Sequence, residues 1–397
     1  MIPRAVVICL GMSQLVGWGV SFYLAGTFGQ AIQADTGWSA ETVYGGLSAA
    51  IVVMGLFSPL AGRAVDRHGG RRTMTVGACL NAAGCLGLAL SAQPAAYYAA
   101  WLVMGLGMRL SLYDAAFATL ARIGGPAARR AVSQITLFGG LASTVFWPVG
   151  HALESWLGWR GAVVAYAGFA LATIPLFLTL PRGRYTAPDP AGAAADARPA
   201  AIPGSRETRI AGALYAVVTM LVSFLAAGNA SHLIGILEGL GLTAAAAVSV
   251  AAVWGLGQVS ARLGEVAFGS RLHPTALNLV ASAILPSCFA IGLAAVWNPA
   301  AAVAYAFLYG TSNGLLTITR GSLPLVLFDP RSYGAVVGAL LVPSFLLTAF
   351  APVSYAYVLE RHGSMAVLGG SALLGAIVLA ASLAIRARYG GERRSPV

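Results

Sequence analysis

The sequence predicts an all-α integral membrane protein, and three observations carry this prediction. Hydrophobic residues make up 58% of the 397 positions and charged residues only 9%, with a mean hydropathy of +0.78. The apolar residues are gathered in runs of about 20, the length that an α-helix needs to cross a bilayer. Basic residues lie mostly in alternate gaps between those runs, a bias typical of membrane proteins. A soluble core would leave much of this apolar surface exposed.

Charged residues, glycine and proline divide the sequence into twelve predicted membrane spans. Between the sixth and seventh spans, residues 181–208 are rich in proline and alanine and show no periodicity, which predicts a cytoplasmic linker. We therefore expect an N-terminal six-helix bundle over residues 1–180 and a C-terminal one over 209–397. The predicted spans are 5–30, 42–64, 73–92, 96–121, 131–153, 161–180, 209–235, 244–269, 275–296, 299–327, 333–357 and 365–386.

The arginines set the predicted orientation. All 24 basic residues are arginine, and 19 of them fall on the side that holds both termini. Only Arg160 and Arg361 fall on the other side, and Arg109, Arg262 and Arg320 fall within spans. This asymmetry predicts cytoplasmic termini in a bacterial-type inner membrane. The net charge of +11 is then expected to face anionic lipid, which argues against binding to nucleic acid.

A polar stretch interrupts the apolar pattern between the second and third spans. Residues 62–72 contain four arginines, three glycines and one aspartate. Two adjoining membrane helices leave room only for a very short loop here, and glycine permits the reversal. The Asp66 carboxylate, surrounded by guanidinium groups, is able to latch two helix ends together or to reach a neighbouring helix. We expect a conformational latch formed by Gly62, Asp66, Arg67, Gly69, Arg71 and Arg72.

These residues resemble the signature G-x-x-x-D-R-x-G-R-R of the major facilitator superfamily of transporters. Gly70 is one residue more than the strict pattern. The resemblance implies the superfamily's fold, with twelve transmembrane helices in two pseudo-symmetric six-helix bundles. It also implies a secondary transporter that works by alternating access around a site near the middle of the membrane, and we expect it to act as a monomer.

Polar residues inside the spans are the candidates for substrate binding, because a charge in the hydrocarbon region costs at least ~2.5 kcal/mol. In the fourth span, Arg109 falls near the middle and shares a helix face with Tyr113. Asp114 is five positions from Arg109, which places the two side chains roughly 140° apart on a continuous helix, so they are not expected to neutralise each other. Asp114 faces either the cavity or a neighbouring helix, and packing ion pairs remain the alternative for both residues.

In the eighth span, Gln258, Arg262 and Glu265 form one polar stripe. Arg262 either pairs with Glu265 along the helix or anchors an anionic substrate. The segment Val259-Ser260-Ala261-Arg262 resembles that of the monocarboxylate-transporter branch of the superfamily, in which this arginine binds the substrate carboxylate. Glu265 departs from that pattern, because it is able to occupy the guanidinium itself.

Two further spans carry candidate substrate contacts. Asn313 and Arg320 share a face of the tenth span, where Arg320 either contacts the ligand or serves as a gate or a snorkelling residue. Asn229 and His232 share a face of the seventh span, and His232 is also explained by ordinary hydrogen-bonded packing. The full set of predicted substrate contacts is Arg109, Tyr113, Asp114, Asn229, His232, Gln258, Arg262, Asn313 and Arg320.

The predicted function is transport of a small organic anion, such as a monocarboxylate. Three buried arginines against two buried carboxylates favour an anion, and Asp114 or Glu265 would carry the proton if transport is proton-coupled. The alternative within transport is a broad-specificity efflux pump for drugs or metabolites. No nucleophile with a base at a workable spacing appears, and neither does a metal-binding or phosphate-binding motif. We therefore expect no enzymatic activity, no cofactor and no metal site.

Overall fold

The computed structural model describes residues 2–186, 205–268 and 272–390. In these ranges every regular element is a helix. The chain divides into two compact units. Unit 1 comprises Met1–Arg198 and Asp329–Val342, and unit 2 comprises Pro199–Phe328 and Pro343–Val397. Residues 187–204 of the predicted linker lie outside the described residues, so the linker and the domain bounds remain predictions.

The described part of unit 1 contains ten consecutive α-helices and one α-helix from late in the chain. Two short 3₁₀ turns, Gly125–Ala128 and Pro330–Ser332, also belong to it. Its α-helices are α1 (Arg4–Val20), α2 (Leu24–Thr36), α3 (Ala40–Leu56), α4 (Ser58–His68), α5 (Gly70–Leu90), α6 (Pro94–Ser111), α7 (Tyr113–Gly124), α8 (Arg129–Gly140), α9 (Ala142–Ala172), α10 (Ile174–Leu178) and α16 (Tyr333–Leu340).

Unit 2 contains the remaining helices, several of which start at a recognisable cap. The side chain of Ser205 accepts a hydrogen bond from the Thr208 amide, and that of Asn298 accepts one from the Ala300 amide; such side chains satisfy the free N–H groups of a first turn. The helices are α11 (Arg206–Gly239), α12 (Ala244–Phe268), α13 (Pro274–Leu293), α14 (Pro299–Ser322), α15 (Pro324–Leu327) and α17 (Val342–Tyr389), with a 3₁₀ turn at Ala294–Val296.

The helices account for the twelve predicted spans. Seven continuous helical runs in the described residues are long and apolar enough to cross a membrane, and the bent pair of α3 and α4 forms an eighth. Two of the runs contain 85 and 60 residues, which is several times the ~20 needed for one crossing. Gly158 (φ 66°) divides α9 and Gly363 (φ 76°) divides α17, so each of these helices contributes to two spans. The tenth span, α14, is 24 residues long and is not among these seven runs.

The predicted short loop of residues 62–72 is shorter than the sequence suggested. Helix α4 ends at His68 and α5 begins at Gly70, so Gly69 alone joins them. Gly69 has a φ of 82°, a backbone conformation that favours glycine. Gly70 serves a different purpose, because a Cβ there would overlap the side chain of Thr119. One glycine therefore makes the turn, and the other permits close packing.

Candidate functional site

The first cluster of predicted site residues is a buried ion pair in unit 1. Arg109 is 3% exposed, and its Nη1 lies 3.4 Å from Oδ2 of Asp114. The prediction that these side chains point in different directions is wrong. The fourth span is broken at Leu112, which has an extended backbone (φ −79°, ψ −168°). The rotation of 100° per residue does not continue across such a break, and the two side chains meet.

Ser58 is a second partner of Arg109, and the sequence analysis missed it. Arg109 Nη2 donates to Ser58 Oγ over 2.8 Å, and this hydroxyl donates to the carbonyl oxygen of Gly338 over 2.5 Å. The next residue, Pro59, lacks the N–H that would bond to the preceding turn. Helices α3 and α4 accordingly meet at an angle of 56°. A serine directly before this helix-breaking proline was the signal available in the sequence.

A small cavity lies beside the ion pair within unit 1. Its volume of about 10 Å³ is room for roughly one water molecule and too little for an organic substrate. The cavity therefore leaves space for a water molecule beside the ion pair. It is lined by Arg109 and Asp114, by small residues of α4 and α7, and by Tyr333, Gly334, Val337 and Gly338 of α16.

The Asp66 carboxylate binds the first turn of α16. Its Oδ1 accepts from the amide of Gly334 over 3.0 Å, and its Oδ2 accepts from the amide of Ala335 over 2.7 Å. The N-terminus of a helix presents free N–H groups and a partial positive charge, so a carboxylate there is stabilising. Arg122 donates from Nη1 to the backbone oxygen of Asp66. Of the other predicted latch residues, Arg67 and Arg72 are exposed and Arg71 is half-buried.

Glycines let α4 and α16 approach to backbone contact. A Cβ on Gly62 would overlap the carbonyl oxygen of Gly334, and one on Gly338 would crowd the carbonyl oxygen of Ser58. Small residues permit such close crossings between membrane helices. Gly62, one of the predicted latch residues, thus allows the Asp66 carboxylate and the Ser58 hydroxyl to reach α16.

Tyr113 packs inside unit 1. Its hydroxyl donates to the carbonyl oxygen of Thr136 over 2.9 Å. Its ring lies 5.0 Å from that of Trp18 and stacks on Phe117, with 5.4 Å between the ring centroids. These contacts fix the orientation of the ring beside the break at Leu112.

Asn229 and His232 belong to one hydrogen-bonded network in unit 2. Asn229 is fully buried; it donates to the carbonyl oxygen of Leu225 and to the Tyr355 hydroxyl, and it accepts from Tyr305 over 2.6 Å. His232 Nε2 lies 2.8 Å from the carbonyl oxygen of Pro352, and its ring stacks on Tyr355. The network is typical of packing between helices, the alternative noted for His232.

Arg262 is buried on α12 where this helix packs tightly against α14. Gly314 of α14 lies against the backbone of Gln258, so that a Cβ would come within 2.9 Å of its carbonyl oxygen. Arg262 is 5% exposed, and its Nε has no hydrogen-bond partner among the described residues. Glu265, three positions further along α12, is 7% exposed. Asn313 is adjacent to Gly314 and half-buried.

Arg320 lies near the end of α14 in a different environment. Its Nη1 is 3.4 Å from Ser223 Oγ, and its guanidinium carbon lies 5.5 Å from the centre of the Phe345 ring. The Tyr215 hydroxyl donates to its backbone oxygen over 2.8 Å. This half-buried arginine therefore has protein partners within unit 2.

The family model of the Major Facilitator Superfamily matches residues 10–352, which is most of the chain. The chain belongs to the major facilitator superfamily. It is a multi-pass membrane protein and a secondary transporter of small molecules, as members of this superfamily are. The resemblance stated from the polar stretch at residues 62–72 is confirmed at the level of the superfamily.

Solved structures of superfamily transporters share the fold over nearly the whole chain. The human organic anion transporter is 20% identical, with a TM-score of 0.69 and coverage of 96% of this chain and 100% of that one. A proton:xylose symporter is 13% identical, with a TM-score of 0.69 and coverage of 97% and 95%. The E. coli fucose:proton symporter is 16% identical, with a TM-score of 0.67 and coverage of 96% and 98%. No curated protein matches the sequence.

Proposed function

We propose that this superfamily member transports a small organic anion by alternating access and that Arg262 is the anion anchor. The observation that carries the proposal is the environment of Arg262, which is 5% exposed with a buried Nε that lacks a hydrogen-bond partner in the described part of the chain. A charged group in such a place is costly and marks a substrate or ion site in many membrane proteins.

The guanidinium also favours a particular substrate class. Its planar fork suits a carboxylate, to which it donates two parallel hydrogen bonds. Gln258 lies one turn before Arg262, and Asn313 lies beside the contact between α12 and α14, so amide groups are available for a further polar atom of the substrate. Monocarboxylates, as in the branch that residues 259–262 resemble, are therefore the leading substrate class.

Arg109 has a different role in this proposal. Asp114 and Ser58 already engage its two terminal nitrogens, so it is less suited to hold a substrate. We assign the ion pair of Arg109 and Asp114 to proton coupling, with Glu265 as the second candidate carrier. Arrival of a proton on Asp114 would release the guanidinium, because an uncharged carboxyl attracts it less strongly.

The latch and the orientation complete the proposal. The Asp66 carboxylate at the first turn of α16 is the latch that stabilises one conformation of the transport cycle, and its charge-assisted bonds to backbone amides support this role. The arginine distribution supports cytoplasmic termini in an inner membrane. We further propose that a single chain is sufficient for transport.

Ligand-induced stabilisation of the purified protein tests the anion proposal. We expect lactate, benzoate or a related monocarboxylate to raise the thermal unfolding temperature of the wild type, because a ligand that binds the folded state stabilises it by mass action. The variant Arg262→Gln removes the charge and is expected to lose this response. Arg361→Gln is the matched control, since Arg361 is an exposed arginine of the same unit, and it is expected to respond as the wild type does.

Two outcomes would contradict the proposal. One is a monocarboxylate response that persists in Arg262→Gln. The other is stabilisation by lipophilic cations such as tetraphenylphosphonium with none by monocarboxylates, which would favour the efflux alternative.

A further inference from the structure

Three breaks in membrane helices meet within unit 1. The second span bends between α3 and α4, immediately before Ser58. The fourth span breaks at Leu112, between Arg109 and Asp114. The eleventh span breaks at Leu341, where α16 has ended and Val342 begins α17. Residues at the ends of helices are the positions that absorb changes in φ and ψ when helices move relative to one another.

The Ser58 hydroxyl connects one helix from each of these breaks, namely α4, α6 and α16. The residue is fully buried at the start of α4. It accepts from Arg109, and it donates to the carbonyl oxygen of Gly338. Gly338 belongs to the last turn of α16, whose carbonyl groups have no further helical turn to bond to. Ser58 therefore donates to a buried carbonyl oxygen that lacks a helical donor because of the break in the eleventh span.

Arg109 extends this connection to Asp114. One terminal nitrogen, Nη1, faces the Asp114 carboxylate, while the other, Nη2, binds Ser58. Because the guanidinium is planar and rigid, a movement that strengthens or weakens one contact also shifts the other. A chain of contacts thus runs from a carboxylate on α7 through α6 and α4 to the end of α16.

We propose that Ser58 is a positioning residue that transmits the charge state of Asp114 to α16. The inference rests on the proposed role of Asp114 in coupling, and it identifies how protonation of this carboxylate would reach α16. The other ionisable groups that line the same cavity are Arg109 and Tyr333. Asp66 binds the opposite end of α16 through the amides of Gly334 and Ala335 and is not part of this chain of contacts.

Hydrogen exchange in a double-mutant cycle tests the inference without any substrate. The purified full-length chain is measured as wild type, Asp114→Asn, Ser58→Ala and the double variant, where Asn represents the uncharged carboxyl. We expect Asp114→Asn to speed the exchange of the amides of residues 336–341 by about fivefold, corresponding to a coupling of about 1 kcal/mol. In the Ser58→Ala background the same substitution is expected to change the exchange less than about twofold, which is the level of additive effects.

Two further variants separate transmission from a general structural role. Ser344→Ala is the matched control, because Ser344 is also a buried serine that donates to a backbone carbonyl, in unit 2; the effect of Asp114→Asn is expected to persist in its presence. Arg109→Lys keeps a positive charge near Asp114 but has a single terminal nitrogen, so it lacks the second nitrogen that binds Ser58 in the wild type. In the Arg109→Lys background, as in Ser58→Ala, Asp114→Asn is expected to change the exchange of residues 336–341 less than about twofold. If Asp114→Asn fails to fold, Arg109→Lys alone is compared with the wild type and is expected to change this exchange, because it breaks the link between Asp114 and Ser58.

The inference is overturned if Asp114→Asn speeds exchange in α16 equally with and without Ser58. It is also overturned if Asp114→Asn speeds exchange of residues 336–341 in the Arg109→Lys background as much as in the wild type, because Arg109→Lys removes the link between Asp114 and Ser58. Neither outcome depends on the identity of the substrate, so failure of this inference is distinguishable from failure of the anion proposal, which the ligand response decides.

Discussion

At the scale of single residues, the role of Asp66 could be predicted from the sequence, but its partners and those of Arg109 could not. The sequence predicted that Asp66 binds a helix end or a neighbouring helix, and the donors prove to be amides 268 and 269 positions away in the chain. No local pattern identifies a partner at that separation. The pairing of Arg109 with Asp114 could not be predicted, because the two positions lie on opposite sides of a helix break. The break is at Leu112, and the sequence gives no sign of it because leucine, unlike glycine or proline, favours a continuous helix.

The variant Asp66→Asn tests the contact with α16. The amide side chain keeps one acceptor oxygen but places an NH₂ group against a backbone N–H, and it carries no charge. We expect a loss of about 1–3 kcal/mol of stability, seen as a lower thermal unfolding temperature. Asp35→Asn is the control, because Asp35 forms an ion pair with Arg160 that is about half exposed, and such pairs contribute about 1 kcal/mol or less. Equal shifts for the two variants would contradict the assigned strength of the Asp66 contact.

At the scale of helices, the apolar runs predicted the spans well and their internal breaks poorly. The length of a run is fixed by the thickness of the bilayer, so the sequence displays it directly. A break depends on which neighbouring group replaces the lost backbone bond, as Ser58 does for the carbonyl of Gly338. That neighbour comes from a distant part of the chain. The bend before Pro59 was the exception, since proline signals it.

Enlarging Gly62 tests the close crossing of α4 and α16. The variant Gly62→Ala places a methyl group against the carbonyl oxygen of Gly334, and we expect the overpacking to cost about 1–3 kcal/mol in thermal stability. Gly168→Ala is the control, because a Cβ there meets no neighbouring atom within 4 Å. If both variants unfold at the wild-type temperature, the two helices do not pack as closely as described.

At the scale of the whole molecule, composition and charge determined the class of protein before any contact was known. The apolar content required a membrane protein, and the family match over residues 10–352 confirms the superfamily. The substrate is harder to predict from the sequence, because a buried arginine looks the same whether it serves a substrate or another side chain. The structure separates the three arginine candidates by their terminal nitrogens. Those of Arg109 contact Asp114 and Ser58, and one of Arg320 lies 3.4 Å from Ser223 Oγ. The buried Nε of Arg262 has no hydrogen-bond partner among the described residues, a feature it shares with the Nε of Arg109.

Flux through reconstituted protein tests the central claim, that Arg262 holds an organic anion during transport. The measurement is uptake of a radiolabelled monocarboxylate into proteoliposomes that contain the wild type, Arg262→Gln or Arg361→Gln. We predict saturable uptake by the wild type and the Arg361 control, and a reduction of about tenfold or more in Arg262→Gln, as expected when charge-assisted hydrogen bonds are lost. Uptake by Arg262→Gln at the wild-type rate would contradict the account.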